Sequence, residues 1–301
     1  MLHFAEEEDK TSDAVEIQEL HEAVFNNNHR LLLVLLSQER YRKLINSRSG
    51  WGIPGTPLRL AASHGYLSCV ELLLAHGAEV DSLDVKAQTP LFTAVSGKHL
   101  DCVHALLSAG ADPNGSIYNN CSPVLTASRE GDVEILSELL EHGAEVNTRS
   151  KSSLWTSHSP VCSGPLYLSA VYGHLDCFKL LLIYGANPDF NCTEEKLLVK
   201  IKQPKTILEM CLRHCCEAEY VQLLIDFGAN VYLPTLNVEK TTKQKKLWSL
   251  CPKRLMSWCR LTIRNALRLA GRLAYVDRLH IPSSLKHYLK HKSRPMADNF
   301  P

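Results

Sequence analysis

The sequence predicts an all-α repeat protein, and two recurring landmarks predict it. The pair Gly-Ala recurs at 77–78, 110–111, 143–144, 185–186 and 228–229, with spacings of 33, 33, 42 and 43 residues. Upstream of each pair stands a second landmark: Thr56-Pro57-Leu58, Thr89-Pro90-Leu91, Ser122-Pro123-Val124, Gly164-Pro165-Leu166 and Thr206-Ile207-Leu208. From landmark to glycine is 21 residues four times and 22 once. Two markers that keep phase over five units indicate stacked copies of one supersecondary element.

Each unit reads as one design. The Thr or Ser hydroxyl suits a helix N-cap, and proline at the next position suits the first helical turn. A short helix follows, and Gly65, Gly131 and Gly173 turn the chain. The second helix carries its leucines on one face, as in CVELLLAHG (69–77), CVHALLSAG (102–110) and CFKLLLIYG (177–185). The closing glycine stops it in a left-handed cap. Helix pairs this short cannot bury an apolar face alone, so neighbouring units must stack. Aligned on the closing glycine, Cys69, Cys102, Ile135, Cys177 and Tyr220 share one position, which reads as a packing position. An earlier, degenerate unit spans 16–38, with Leu20, His21 and Ala23 in the first helix and Leu31 to Leu36 in the second.

The period of 33, the Thr-Pro-Leu turn and the Gly-Ala close resemble the ankyrin repeat, whose fingerprint includes T-P-L-H-x-A. The resemblance implies an ankyrin-repeat solenoid of about six repeats over 16–234, preceded by a tail at 1–15. Arg59, Phe92, Leu125, Tyr167 and Glu209 stand where the fingerprint has histidine. Candidate target-binding residues come from the outward fingers, 81–88 and 114–120: Asp84 and Lys86 in the first and Tyr118 in the second. Two connectors, 147–164 and 187–205, are about nine residues longer than the others, and insertions in repeat arrays map to loops on one face, often the binding face. Trp155 lies in the first of them among Ser and Lys. It serves either as an anchor for a partner or as a side chain folded back on the next repeat.

Charge divides the chain. Residues 1–238 carry 18 Lys+Arg against 29 Asp+Glu, whereas 239–301 carry 15 against 3. Such asymmetry marks two functional parts. After a lysine-rich connector at 235–250, a helix is predicted between Pro252 and Gly271. Along it Leu255, Cys259, Ile263 and Leu267 recur every fourth residue and form an apolar stripe. A second short motif, LHIPSSLKHYL, spans 279–289.

This tail, 251–292 with a C-terminal extension at 293–301, resembles a SOCS box, and with the repeats the chain resembles the ankyrin-repeat and SOCS-box family. Leu255, Cys259 and Ile263 fit the spacing of that family's first segment. The resemblance implies that Leu255 and Cys259 insert into elongin-C, with Ile263 and Leu267 extending the contact. Leu279, His280, Ile281 and Pro282 stand at the family's Leu-Pro-aliphatic-Pro segment, with His280 in place of the first proline, and are implied to face cullin-5. The implied function is that of a substrate receptor of a cullin-RING ubiquitin ligase. Its partners would be elongin-B/elongin-C, cullin-5 with its RING-box protein, and an unknown protein target.

Other function classes find less support. No phosphate-binding glycine loop, nucleophile elbow or paired metal motif is present, so neither catalysis nor a cofactor is expected. Cys211, His214, Cys215 and Cys216 form one cluster without the second ligand pair of a structural zinc site. An odd total of eleven cysteines points to reduced thiols rather than a disulfide framework. No stretch approaches the ~18 apolar residues of a membrane span. The opening MLHFAEEEDK lacks the apolar segment of a secretion signal, and a cytosolic or nuclear protein is expected. A scaffold whose tail is merely a structural cap is the alternative. A nucleic-acid role for the basic tail would require salt-dependent binding to phosphates, and no nucleic-acid module is visible.

Overall fold

The computed structural model describes residues 2–49, 54–118, 122–148, 164–190, 206–213 and 216–230, together with Lys286. Every long element among the described residues is a helix, and an isolated antiparallel bridge joins Ser49 to Gly55. The helices are α1 (Leu2–Phe25), α2 (His29–Leu36), α3 (Glu39–Lys43), α4 (Pro57–His64), α5 (Leu67–Ala75), α6 (Pro90–Ser96), α7 (Leu100–Ser108), α8 (Pro123–Glu130), α9 (Val133–Glu141), α10 (Pro165–Val171), α11 (Leu175–Ile183), α12 (Ile207–Arg213) and α13 (Ala218–Asp226). The chain divides into two compact units. One comprises Met1–Ala127 with Glu134–Glu145, and the other Ser128–Val133 with Val146–Pro301.

In the first unit the helix starts are fixed as their sequence dictates. Thr56 Oγ1 accepts the Arg59 N–H at 3.4 Å, Thr89 Oγ1 accepts the Phe92 N–H at 3.1 Å, and Ser122 Oγ accepts the Leu125 N–H at 3.5 Å. Each satisfies an amide that the helix itself leaves unbonded. The helix ends explain the Gly-Ala pair. Gly77, Gly110 and Gly143 have φ of 88°, 91° and 89°. That left-handed turn lets the next N–H reach back five residues: Ala78 to Leu73, Ala111 to Leu106 and Ala144 to Leu139, each at 3.0 Å. The alanine is buried beneath the turn. In the turn between α6 and α7, Lys98 adopts φ 60° where Gly65 has 72° in the preceding unit, so this turn is closed without its glycine.

Packing follows the apolar stripes. On each second helix the residues at i, i+1 and i+4 are buried: Cys69, Val70 and Leu73 on α5, Cys102, Val103 and Leu106 on α7, Ile135, Leu136 and Leu139 on α9. A leucine fully removed from water contributes about 2–3 kcal/mol, so each turn of stripe is a substantial fraction of a repeat's stability. The first helices use small residues, such as Ala61 and Ala62 on α4 and Ala94 on α6, which lets their backbones approach. α4 packs against α1 and α6, and α5 against α2 and α7.

The degenerate first unit is a helix pair, α1 and α2, with Leu20, Ala23, Leu32, Leu35 and Leu36 buried. Asn28 caps α2 by accepting the Leu31 N–H at 3.0 Å. Residues 2–15, assigned above to a tail, continue α1 as helix. The run EEEDKTSDAVE (6–16) contains no glycine or proline to stop it.

The second unit repeats the scheme by itself. Thr206 Oγ1 accepts the Glu209 N–H at 3.1 Å. Gly185 and Gly228 have φ of 95° and 93°, and Ala186 and Ala229 reach back to Leu181 and Leu224 at 2.9 and 2.8 Å. Cys177, Phe178, Leu181 and Leu182 are buried on α11, and Tyr220, Val221, Leu224 and Ile225 on α13. Phe178 and Tyr220 meet edge to face, their ring centres 5.0 Å apart. His174 fills the space over Gly131 and hydrogen-bonds the Arg129 carbonyl at 2.8 Å.

Candidate protein-binding surface

A ladder of side-chain rungs roots the outward fingers. The residue four after Gly77, Gly110, Gly143 and Gly185, and its counterpart Asn46, accepts the N–H of a residue in the next repeat's loop. In the first unit the Asn46 amide oxygen accepts from Glu79 at 2.9 Å, both Asp81 carboxylate oxygens from Asp112 at 3.2 Å, and Asn114 from Glu145 at 2.7 Å. In the second, Asn147 accepts from Asn187 at 2.9 Å and Asp189 from Asn230 at 2.8 Å. The Asp81 carboxyl is held above its ordinary value, chiefly by burial and further by the charge of Asp112, against the lowering effect of the Asp112 N–H.

The first finger is fastened from within. Asp84 is 4% exposed. One of its oxygens accepts the Lys86 and Gln88 N–H groups, both at 2.8 Å, and the other accepts Arg59 Nε at 2.8 Å. This corrects the expectation that Asp84 meets a target: it is a buried tie between α4 and the finger. Arg59 stands where the fingerprint has histidine. His21 stands at the same place in the first unit and lies 3.0 Å from the Gly55 carbonyl. Both side chains link a first helix to the loop that follows its helix pair, so in these two units the position keeps its role through a change of residue. The sequence contained a signal for this, an Asp 25 residues after an Arg, but only the loop's return brings them together.

Lys86 is exposed at the tip of this finger. Tyr118, in the next finger, is 75% exposed. Two exposed apolar residues that sequence reasoning did not single out lie on the same fingers, Val85 at 59% and Ile117 at 69%. On the first-helix side, a cavity of about 590 Å³ opens between α1 and α4. Its rim carries Phe25 and His64, edge to face at 6.1 Å, and His64 stacks on Tyr66 at 5.3 Å. This volume is in the range of ligand and side-chain pockets.

The cysteines at the shared packing position behave as small buried hydrophobes. Burial, and then Asp101 and Glu71, push the Cys102 thiol up to about 11. Burial, and then Asp132 and Asp176, push Cys177 up to about 12. Neither is a nucleophile at neutral pH. His76 and His142, each next to a closing glycine, bond the Leu72 and Glu138 carbonyls at 2.8 and 2.9 Å, satisfying oxygens in the last helical turn. Cys211 is buried and Cys216 half-buried, while His214 and Cys215 lie outside the described residues. Among the described residues, no group of three potential ligands could hold a metal ion, and no helix is long and apolar enough to cross a membrane.

Trp155 lies outside the described residues, as do Leu255, Cys259, Ile263, Leu267, Leu279, His280, Ile281 and Pro282.

Helix pairs closed by Gly-Ala, rung-linked loops and fingers with exposed side chains define an ankyrin-repeat protein, a class that works by holding other proteins. Comparison with known families agrees. The profile for ankyrin repeats in three copies matches residues 20–117 and again 59–150, a single ankyrin repeat matches 164–192, and the SOCS box matches 251–290. The chain is 63% identical over 293 residues to "Ankyrin repeat and SOCS box protein 12" of Homo sapiens, covering 95% of each chain. The protein of that name from Mus musculus is 60% identical over 293 residues, again 95% of each. "Ankyrin repeat and SOCS box protein 1" of Mus musculus is 49% identical over 295 residues, 90% of this chain and 87% of that one. The chain belongs to the ankyrin repeat and SOCS box family, whose members are adaptor-type substrate receptors of ubiquitin ligases.

Proposed function

We propose that this chain is the substrate-recognition subunit of a cullin-RING ubiquitin ligase, acting in the cytosol or nucleus. The ankyrin repeats hold the target. The SOCS box holds elongin-B/elongin-C through Leu255, Cys259, Ile263 and Leu267, and faces cullin-5 with its RING-box protein through Leu279, His280, Ile281 and Pro282. Ubiquitin transfer takes place on the other subunits, and the target is passed to the proteasome. The observation that carries this reading is the order of the two parts: an ankyrin array followed by a SOCS box at 251–290.

The physical work of such a receptor is to raise effective concentration. A target lysine held near a ubiquitin-loaded enzyme reacts as if it were at millimolar concentration or above. The tail suits helix-in-groove docking, in which an apolar stripe at fourfold spacing supplies area and shape. Its excess of Lys and Arg would steer encounter with acidic partner surfaces.

Co-expression with elongin-B and elongin-C, followed by affinity purification through this chain, tests the reading. Both elongins are expected in the bound fraction at equal stoichiometry and are expected to be lost from Leu255→Ala plus Cys259→Ala. If elongin-C is absent from the wild-type complex, or the double variant retains it, the tail is a structural cap and the chain a scaffold.

A further inference from the structure

The first two fingers present apolar side chains at equivalent places. Val85 and Tyr118 each lie eight residues after a closing glycine, Gly77 and Gly110, and both are exposed. Ile117 adjoins Tyr118. An exposed apolar side chain at the same register of two neighbouring fingers, with a third beside it, offers a partner a recurring apolar contact point.

These tips are held in place. In the first finger the Asp84 carboxylate gathers the Lys86 and Gln88 amides, the Asp84 N–H donates to the Gln88 carbonyl at 3.1 Å, and Ala87 turns at φ 56°. In the second, the Gly115 N–H donates to the Asp112 carbonyl at 3.0 Å and the Tyr118 N–H to Ser116 Oγ at 3.1 Å. A side chain displayed on a fastened turn loses little further freedom when a partner covers it.

Charge selects the partner. Glu79, Asp81 and Asp112 lie at the roots of these two fingers, against one ammonium, Lys86, among their described residues. Asp84 is already neutralised by Arg59. Asp81 and Asp112 repel one another across their rung, a repulsion that an incoming cation relieves. Packed helices stand about 8–10 Å apart, and in an extended polyproline-type chain residues three apart share one face at about 9 Å.

We propose that Val85, Ile117 and Tyr118 anchor an extended segment of the target that carries apolar side chains three residues apart with Lys or Arg between them. This rests on the reading that the repeats hold a target protein.

Fluorescence anisotropy of the full chain with labelled twelve-residue peptides tests it. One peptide has Leu or Phe at every third position with Lys between, a second has Glu in place of Lys, and a third has Ser in place of Leu and Phe. The first is expected to bind at least tenfold tighter than the others. Val85→Ser plus Tyr118→Ser is expected to weaken it about tenfold. Asp81→Asn plus Asp112→Asn is expected to weaken it several-fold and to flatten its salt dependence. Equal binding of the Lys and Glu peptides, or an affinity unchanged in the Val85/Tyr118 variant, overturns the proposal. The same preparations are assayed for elongin-C capture, which does not involve these fingers. Capture with no peptide preference sinks this inference alone, whereas peptide preference with no capture sinks the ligase reading and leaves the finger surface standing.

Discussion

Replacing Asp84 by alanine tests whether the first finger is fastened from inside. The wild-type carboxylate receives three hydrogen bonds of 2.8 Å, from Arg59 Nε and from the amides of Lys86 and Gln88. Its side chain is 0% exposed and that of Arg59 10%. The variant leaves a buried guanidinium without its counter-charge, which costs about 3–5 kcal/mol. At roughly 2–4 °C per kcal/mol for a domain of this size, the melting temperature should fall by about 6–20 °C. Arg59→Leu in the same background should restore much of the loss, because the orphaned charge disappears. Leu125, buried at the equivalent position of a later unit, shows that an aliphatic side chain is accommodated there. Thermal and urea unfolding of the four proteins, followed by circular dichroism, gives a double-mutant cycle, with a coupling of about 2–3 kcal/mol expected. Strict additivity, or an Asp84→Ala cost below about 1 kcal/mol, would refute the reasoning and return Asp84 to the candidates for target contact.

Three further expectations follow from the same geometry. Gly65→Ala and Gly77→Ala both place a side chain at positive φ, but at Gly65 the new methyl meets the His99 ring 2.5 Å away, whereas Gly77 faces open space. Urea unfolding should show a loss of about 1 kcal/mol at Gly77 and about 2–3 kcal/mol at Gly65; equal losses would deny the His99 contact. Asp81→Asn should stabilise the protein at pH 7 by a few tenths to about 1 kcal/mol. Asp81 titrates above its ordinary value of 3.8 in the fold, so the folded state binds the proton more tightly than the unfolded chain does. The cost of the ionised form is complete above the folded pKa and vanishes as pH falls through it to below 3.8. Melting curves should therefore show a gain that disappears near pH 3.5, and an equal gain at both pH values would contradict the account. Cys102 and Cys177, with thiols pushed up to about 11 and about 12 by burial first, should resist iodoacetamide at pH 8 in the native protein and react in urea. Native labelling within minutes, read by peptide mass spectrometry, would show that these helices open far more readily than their packing implies.

The repeat was legible because it is written in residues whose backbone chemistry is local. Thr or Ser followed by Pro favours a helix start, and Gly a helix end, through local backbone chemistry, so the phase of the array can be read without coordinates. The Cys-Cys-Ile-Cys-Tyr position was legible for the same reason, since a shared register implies a shared burial. Long-range pairing was not. Arg59 and Asp84 are ordinary surface residue types, and only the fold's return brings them to 2.8 Å. Without that distance, a finger aspartate looks like a contact residue. Lys98 was hidden as well, because a lysine carries no sign that its backbone is left-handed. The Val85 and Tyr118 pair was legible in principle, by aligning fingers as well as helices on the closing glycine. The start of α1 was missed because a charged, breaker-free run is compatible with either helix or tail.

The central claim concerns the tail: its apolar stripe is completed by another subunit. Hydrogen–deuterium exchange on the full chain, with and without purified elongin-B/elongin-C, tests it most directly. Amides across 255–267 should exchange readily in the free chain and become strongly protected in the complex, while the rung amides of Asp112 and Glu145 stay unchanged. Protection of 255–267 that is already complete in the free chain and unaltered by the elongins would contradict the account.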